Sequence, residues 1–434
     1  MNTKLDPWGS ASIEDYSKLF DEFGISPFDK LLKDIRNPPL FMRRKIIFGH
    51  RDYNIVLQAM QNNQPFAVLS GFMPSGRVHL GGKMVMEEII WHQKMGGKAF
   101  VAIADMEAHS VRGMSWQKCK DIGINEYILS LIALGFEPDG YIYFQSKNSD
   151  VKDLEFELGI ETKFSELNAI YGFSGETNIA HMQSVLIQSA DIFLPQLSKY
   201  GGPKPVVIPV GSDQDPHMRL TRDLANRMRM FTVVQQNDNI SVRSKAVEEK
   251  LLINVADRIS SEISCEVKLY KEHIDIFGSD DFKKIDSIVR NAEIEFGGYG
   301  FIQPASTYHR FMTGLTGGKM SSSNPDSYIA LTDAPEDAYK KVMKAKTGGR
   351  ATLSEQKKIG GEPEKCVVYE LLQFHLIEED KYLTELYLDC KSGKKVCGEC
   401  KKMAAGLIKE FLKMHQYERE NAKDRLNDYE ILGL

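Results

Sequence analysis

The chain has 434 residues, of which 42% are hydrophobic and 26% charged, and its formal net charge is -5. This size predicts two or three domains with a large core, and the charge gives no global sign of nucleic-acid binding. No apolar run approaches the ~20 residues that span a bilayer. Because residues 1–7 contain no apolar stretch, we expect no signal peptide, no membrane association and a cytoplasmic protein.

The N-terminal stretch, residues 1–64, is predicted to form a separate cap. Ser12 and Asp15 resemble a capping box, which begins a short helix. Two consecutive prolines interrupt the chain further on, and residues 40–49 are expected to be extended. This region therefore precedes the main fold rather than contributing its central elements.

Residues 65–234 alternate short β-branched runs with longer helical periods. Strands are predicted at 66–70, 98–104, 141–145 and 206–210, and helices at 79–95, 115–134, 151–171, 177–190 and 213–228. This alternation predicts an α/β fold with a Rossmann-like, doubly wound parallel sheet. Such sheets bind ligands at the carboxyl ends of their strands.

The remainder of the chain is predicted to form three further segments. Residues 235–300 are highly charged and indicate an insertion of helices and a strand or two, after which 301–332 return to the sheet domain. Residues 333–434 are predicted to be all-helical, beginning with Asp333 as the N-cap and Pro335 in the first turn. Lysines recur between residues 340 and 402. They would form either a nucleic-acid contact or a solvated helix face.

A glycine-rich turn joins the first predicted strand to the helix that follows it. Backbone N–H groups and the helix dipole at such a turn both favour a phosphate. His79 at its end is either a donor to the α-phosphate or a cap of the helix. The candidate nucleotide contacts in this turn are Pro74, Ser75, Gly76, His79, Gly81 and Gly82.

A second candidate loop, about 240 residues further on, places one lysine and three hydroxyls after a glycine. It comprises Gly318-Lys319-Met320-Ser321-Ser322-Ser323. Such a loop suits a mobile clamp on a polyphosphate, with Lys319 as a point charge on the β- and γ-phosphates.

Polar residues near two other predicted elements are candidate substrate contacts. Gly211, Asp213 and Gln214 follow a strand, where Asp213 would accept from ribose hydroxyls or cap a helix. Asp191 stands in an apolar run, where a carboxylate is costly unless it is paired. It is either a specificity residue or the exposed end of a helix.

The six cysteines do not form a secreted disulfide framework. Cys397 and Cys400 have the spacing of a zinc knuckle, with Cys390 nearby. No second such pair follows, and Cys366 or His415 would complete four ligands only if the fold brought them there. A reduced helical turn is therefore favoured over zinc, and Cys366 is expected to be an isolated thiol.

Together the two loops resemble the His-x-Gly-His and Lys-Met-Ser-Lys-Ser signatures of class I aminoacyl-tRNA synthetases. Further segments make the chain resemble the archaeal/eukaryotic type of tryptophanyl-tRNA synthetase. The resemblance is interrupted at residues 235–300. The other segments that match the family are Asp6-Pro7-Trp8, Phe41-Met42-Arg43-Arg44, Phe48-Gly49-His50-Arg51-Asp52, Val210-Gly211-Ser212-Asp213-Gln214-Asp215-Pro216-His217, Leu220-Thr221-Arg222-Asp223, Thr307-Tyr308-His309-Arg310-Phe311-Met312 and Thr347-Gly348-Gly349-Arg350.

The resemblance implies that L-tryptophan is activated by Mg²⁺-ATP and transferred to tRNA(Trp), by a protein that is a homodimer. His79 and Lys319 would stabilise the transition state, and Ser321 and Ser322 would hold the loop. Asp213 would bind ribose. Tryptophan would be bound by Glu107, Gln188 and Gln214 at its ammonium group and by Asp191 at its indole N–H. The helical segment 333–434 would bind the anticodon.

Three departures from the family pattern leave two alternatives open. Gly82 replaces the usual His or Asn, Ser323 replaces the last Lys, and Leu69 and Ala102 stand where eukaryotic relatives place Tyr and Gln. The first alternative is a tyrosyl-tRNA synthetase, in which Asp191 contacts a phenol. The second is a catalytically weak paralogue that binds tRNA or nucleotide.

Overall fold

The computed structural model describes residues 20, 23–245, 248–318, 320 and 324–434. The capping box predicted at Ser12 and Asp15 lies outside them. Contacts divide the chain into two compact units, the first comprising 1–148, 207–215 and 305–434 and the second 149–206 and 216–304. These units do not follow the predicted boundaries, since 149–206 leaves the predicted sheet domain and 333–434 does not separate from it.

The first unit is built on an eight-stranded sheet, whose strands are β1 Ser26–Pro27, β2 Ile47–Arg51, β3 Ala67–Phe72, β4 Lys98–Ile103, β5 Tyr141–Phe144, β6 Val206–Gly211, β11 Ala305–His309 and β12 Glu430–Leu432. Their order across the sheet is β1-β2-β11-β6-β3-β4-β5-β12. Pairing is parallel from β3 through β4 and β5 to β12 and between β6 and β11, whereas β2 runs antiparallel to both β11 and β1. The four strands predicted for 65–234 are therefore confirmed, with small shifts at their ends.

The α-helices of the first unit largely follow the predicted pattern. Ser115 caps its helix as predicted, by accepting from the Lys118 N–H. The predicted 115–134 helix contains a π-helical stretch, Gly123–Ile128. The α-helices are Leu40–Arg43, Tyr53–Gln61, Leu80–Lys94, Asp105–Arg112, Trp116–Ile122, Leu129–Ala133, Pro335–Lys344, Leu353–Ile359, Val367–Leu371, Asp380–Lys391 and Cys397–Asp424.

Three local predictions for the first unit are wrong. Residues 40–49 are not wholly extended, because the Leu40–Arg43 helix precedes β2. Asp333 is not an N-cap, because Ala334 holds that position and the Asp333 carboxylate accepts from Arg77 at 2.7 Å and Lys341 at 2.8 Å. The C-terminal segment is not all-helical, since it ends in β12 beside β5.

The C-terminal helices share one hydrophobic core with the sheet. Val68 of β3, Ile89 of the helix after it and Leu412 of the last long helix belong to a single cluster of buried side chains. Burying each such side chain contributes about 1.5–3 kcal/mol. This shared core explains why 333–434 does not separate from the sheet.

The second unit contains a four-stranded antiparallel sheet with the order β7-β8-β10-β9. The sheet begins with the strand Phe231–Gln235, almost wholly before the predicted insertion, and residues 235–300 contain three further strands rather than one or two. Two helices of this region cover a separate core that includes Val242 and Val255. The strands are β7 Phe231–Gln235, β8 Ile240–Ser244, β9 Glu266–Leu269 and β10 His273–Phe277. The α-helices of the unit are Ser149–Ile160, Phe164–Tyr171, Ile179–Phe193, Asp215–Arg227, Glu249–Glu262 and Phe282–Glu295. The first residue of the fourth helix, Asp215, belongs to the first unit.

Throughout the described residues, no helix combines the length and the apolar character that crossing a membrane requires.

Candidate active site

The glycine-rich turn leaves β3 and enters the Leu80–Lys94 helix at the carboxyl edge of the sheet. The Ser75 N–H donates to the Met73 carbonyl at 2.8 Å, which closes a tight bend. A Cβ added to Gly76 would meet no atom within 4 Å. Pro74 is buried and Ser75 exposed. The turn therefore presents open space beside a helix N-terminus, as a phosphate site requires.

His79 caps this helix, and the cap sets the position of its proton. Its Nδ1 accepts from the Gly81 N–H at 3.0 Å. Burial lowers the pKa of His79, so the ring is neutral at pH 7. A neutral ring whose Nδ1 accepts carries its proton on Nε2. The cap and the phosphate donor are therefore compatible roles for one residue.

The segment that follows the second loop pairs with this turn through backbone hydrogen bonds. The Leu80 N–H donates to Ile329 at 3.2 Å, and the Leu331 N–H donates to Val78 at 2.9 Å. Lys319, Ser321 and Ser322 lie outside the described residues. Met320 is described, and its methyl group lies 3.4 Å from the position of a Cβ added to Gly81. The two sequence signatures therefore meet within the first unit.

A salt bridge missed by the sequence analysis reinforces this connection. Arg77 donates to Asp333 at 2.7 Å and to the Thr332 hydroxyl at 2.9 Å. Asp333 also accepts from the Ala330 N–H at 3.0 Å. A basic residue within the turn and an acid after the loop were the available signal, but the capping pattern around Pro335 favoured a local role for Asp333.

Gly82, the main departure from the family pattern, has a local explanation. A Cβ at this position would lie 2.9 Å from the Val78 methyl Cγ2. Real Cβ contacts essentially never come that close. With Val78 in this conformation, glycine relieves the crowding at the start of the helix.

Gly211 and Asp213 occupy the end of β6, the strand next to β3. A Cβ on Gly211 would lie 2.7 Å from the Asp213 carboxylate and 3.1 Å from the Phe311 ring. Asp213 and Gln214 are half-buried in the short 3₁₀ turn Ser212–Gln214. The buried Asp215 anchors this turn, because it accepts from the Tyr308 hydroxyl at 2.6 Å and Arg51 at 2.8 Å.

Glu107 lies in the first turn of the helix that follows β4. Burial raises the pKa of the Glu107 carboxyl to about 7, and the charge of Arg112 acts in the opposite direction. A carboxyl group poised near neutral pH at a strand end is a candidate for binding a cation, which would favour its ionised form.

Gln188 and Asp191 belong to the second unit, on the Ile179–Phe193 helix. They are three residues apart and therefore share one face of it. Asp191 is only 3% exposed, so the alternative of an exposed helix end is wrong. Ser189 on the same helix exchanges a 2.9 Å hydrogen bond with Thr221, which fixes the helix within its unit.

The cysteine prediction requires a correction. Cys366, Cys390, Cys397 and Cys400 line one cavity, so Cys366 is not an isolated thiol. Burial raises the pKa of Cys390 to about 11 and of Cys400 to about 12, with the neighbouring thiols adding to the effect. Among the described residues, however, no three His, Cys, Asp or Glu side chains are arranged to hold a single metal ion. For the zinc alternative, Cys366 and Cys390 lie in the same cavity as Cys397 and Cys400, but these thiols are not arranged to coordinate a single ion.

Comparison with known proteins identifies the family. The model of the class I tRNA synthetases for tryptophan and tyrosine matches residues 61–245 and 264–413. The chain is 59% identical to the tryptophan–tRNA ligase of Methanosarcina acetivorans over 100% of the chain and 99% of that protein, and 56% identical to that of Archaeoglobus fulgidus over 99% and 100%.

Solved structures agree with this match. The crystal structure of tryptophanyl-tRNA synthetase from Aeropyrum pernix K1 superimposes with a TM-score of 0.74 at 39% identity, covering 97% of each chain. A tryptophan-bound tryptophanyl-tRNA synthetase from Encephalitozoon cuniculi, 22% identical, shares the fold with a TM-score of 0.72 over 97% of this chain and 98% of that one. The chain therefore belongs to the class I tRNA synthetases for tryptophan and tyrosine and, within them, to the archaeal type of tryptophanyl-tRNA synthetase.

Proposed function

We propose that this protein activates L-tryptophan with ATP and transfers it to tRNA(Trp). In the first step a tryptophan carboxylate oxygen attacks the α-phosphorus and pyrophosphate leaves, giving tryptophanyl-adenylate. In the second, the adenylate passes its tryptophanyl group to the terminal adenosine of the tRNA and AMP leaves. The observation that supports this proposal is that Met320 of the second signature lies beside the first, with its methyl group 3.4 Å from the position of a Cβ on Gly81, while the segment after the second signature, Ile329–Leu331, pairs with Val78–Leu80.

His79 acts on the α-phosphate as a neutral donor. With Nδ1 occupied by the Gly81 N–H, its Nε2–H is the group available to an oxygen that gains charge in the transition state. A donor already fixed by a helix cap needs no reorganisation when that charge develops. The turn residues Pro74, Ser75, Gly76, Gly81 and Gly82 supply backbone and space for the nucleotide.

Lys319 is proposed to bind the β- and γ-phosphates and neutralise the leaving pyrophosphate. Ser321 and Ser322 hold its loop, and Met320 lies against the turn near Gly81. Mg²⁺ would arrive on the phosphates of ATP, since Mg²⁺ is usually bound through substrate phosphates and water rather than in a protein cage. When bound, the ion supplies charge neutralisation at the transferring group.

The remaining candidate residues are proposed to bind the rest of the nucleotide and the amino acid. Asp213, held beside Gly211, accepts from ribose hydroxyls. Glu107, Gln188 and Gln214 contact the tryptophan ammonium group. Asp191 accepts from the indole N–H, and a buried acceptor of this kind discriminates strongly against side chains that lack the donor.

The helices between Pro335 and Asp424 are proposed to contact the tRNA anticodon, with their lysines binding phosphates. A homodimer remains a prediction from the family resemblance.

A charging assay tests the whole reaction. Labelled tryptophan or tyrosine is incubated with ATP, Mg²⁺ and transcripts of tRNA(Trp) or tRNA(Tyr), and acid-stable charged tRNA is measured. The proposal predicts label only with tryptophan and tRNA(Trp). Charging with tyrosine would support the sister specificity, and no charging with either would support the weak paralogue.

A further inference from the structure

A tight turn closes the base of the second signature loop. The Gly314 N–H donates to the Gly318 carbonyl at 2.6 Å, and the Gly317 N–H donates to the Gly314 carbonyl at 2.8 Å. We call residues 314–318 the loop base. Because its hydrogen bonds are made between residues only three or four positions apart, the loop base is a fixed piece of backbone directly before the signature lysine.

The loop base lies next to the glycine-rich turn of the first signature. A Cβ added to Gly314 would lie 3.2 Å from the Met320 backbone nitrogen, and the Met320 methyl group lies 3.4 Å from the position of a Cβ on Gly81. Met320 therefore contacts both the loop base and the turn. A cation held at the loop base would be close to the phosphates of a nucleotide bound in that turn.

The side chain of Lys346 lies on the loop base. This residue follows the Pro335–Lys344 helix, and its N–H donates to the Leu315 carbonyl at 2.8 Å, which fixes its backbone there. A Cβ added to Gly317 would overlap the Lys346 Cδ and would lie 3.2 Å from its Nζ. Gly317 has a φ of 88°, which glycine adopts readily, and its lack of a side chain leaves the path that the lysine occupies. The ammonium group is therefore held two residues before Lys319 in the chain.

No neighbouring acid among the described residues neutralises the charge of Lys346. Two lysines on the preceding helix do have such partners, since Lys340 pairs with Asp337 at 3.1 Å and Lys341 with Asp333 at 2.8 Å. Lys346 is exposed and forms no ion pair within the part of the chain that the structure describes. An ammonium group that is positioned by packing but lacks a carboxylate partner attracts an incoming anion.

The second signature of this chain has one lysine fewer than the family pattern, because Ser323 stands where the pattern has its last lysine. The triphosphate of ATP carries several negative charges, and Lys319 with one Mg²⁺ compensates only part of them. Lys346 brings a second lysine to the base of the loop from a segment that follows it in the sequence.

We propose that Lys346 binds the β- and γ-phosphates of ATP together with Lys319 and supplies the positive charge that Ser323 does not. The inference rests on the proposed function, since it assigns a further residue to the same nucleotide site. The contribution of Lys346 is electrostatic. Its ammonium group stabilises the negative charge that collects on pyrophosphate as the bond between the α-phosphorus and the bridging oxygen breaks.

Binding of ATP and AMP to the full-length protein tests this inference, because AMP lacks the β- and γ-phosphates. Labelled nucleotides are measured by equilibrium dialysis with Mg²⁺ on the wild type and on Lys346→Met, which keeps the length of the side chain and removes its charge. We expect the Kd for ATP to rise about tenfold and the Kd for AMP to change less than about twofold. Lys268→Met, an exposed lysine of the second unit, should change neither. An unchanged Kd for ATP in Lys346→Met would overturn the inference.

A second variant separates the charge of Lys346 from its packing. Lys346→Arg keeps the charge and should bind ATP within about threefold of the wild type. Urea titration should show equal free energies of unfolding for both variants and the wild type. A Lys346→Met protein that loses ATP and AMP binding alike, or a Lys346→Arg protein as weak as Lys346→Met, would contradict a role based on charge.

Tryptophan-dependent pyrophosphate exchange by the wild type distinguishes a failure of this inference from a failure of the proposed function. Exchange by the wild type, together with unchanged ATP binding in Lys346→Met, would overturn the role of Lys346 alone. A wild-type protein that neither binds ATP nor catalyses exchange would overturn the proposed function and this inference with it.

Discussion

Two glycine-rich regions of the first unit use the same residue for opposite purposes. In the active-site turn, a Cβ at Gly76 would meet nothing within 4 Å, whereas at Gly360, beside Cys390, it would lie 1.7 Å from the Lys391 carbonyl oxygen. One glycine leaves room for an incoming molecule, and the other lets two segments of the chain touch. A glycine run in the sequence does not distinguish these uses, but the neighbouring atoms do.

In the active-site region, we expect the loss of Lys319 to have the largest effect on the reaction rate. Lys319→Ala should reduce the rate of adenylate formation about 10³-fold, because a charge that acts on the leaving phosphates is lost in the transition state. Tryptophan binding, measured by equilibrium dialysis, should change little. Lys268→Ala is the control, since Lys268 is exposed in the second unit and pairs with Glu266 at the surface. Equal losses of binding and rate would argue against the transition-state role.

Gly360→Ala should have the largest effect on stability. Gly360 has φ 74° and ψ 174°, a region that side chains avoid at a cost of about 1–3 kcal/mol, and the Cβ overlap adds to that. We expect the free energy of unfolding to fall by about 3 kcal/mol or more in urea titration. Gly76→Ala, its matched partner, should change it by less than about 0.5 kcal/mol but raise the KM for ATP. Equal losses of stability in both variants would contradict the different roles assigned to Gly360 and Gly76.

Two variants of His79 separate its role as a helix cap from its role in catalysis. Asn is a good N-cap, so His79→Asn should preserve helix stability, whereas His79→Ala should lose about 1 kcal/mol. Neither variant keeps the Nε2 donor, and both should therefore lose about 10²-fold in the rate of pyrophosphate exchange. Thermal unfolding and exchange are measured on both proteins. An active His79→Asn variant would show that this histidine serves only as a cap.

Glu107 predicts a milder pH dependence. Its raised pKa of about 7 means that the carboxyl becomes neutral as the pH falls below that value, so its attraction for an ammonium group is lost. kcat/KM for tryptophan should decline by up to about tenfold per pH unit below 7. Glu107→Gln should have a low kcat/KM for tryptophan at every pH, and its kcat/KM should not show this decline below pH 7. The exposed Glu355→Gln provides the control, and an unchanged pH profile in Glu107→Gln would exclude the role.

The sequence was sufficient for features that depend on local pattern. The strand–turn–helix around His79 and the cap at Ser115 were predicted because β-branched runs, glycines and capping residues act within a few positions. Features that depend on distant partners were missed: Asp333 pairs with Arg77 rather than capping a helix, and Cys366 reaches a cavity with Cys397. β12 has only three residues, too few for a recognisable period, and its pairing with β5 defines it.

The most direct test of the account is ATP–pyrophosphate exchange, with tryptophan and tyrosine measured side by side on the wild-type protein. We predict exchange that depends on tryptophan and does not occur with tyrosine. Exchange with tyrosine would reassign Asp191 to a phenol contact. No exchange with either amino acid would contradict the proposal that the joined signatures around His79 and Lys319 form an active site.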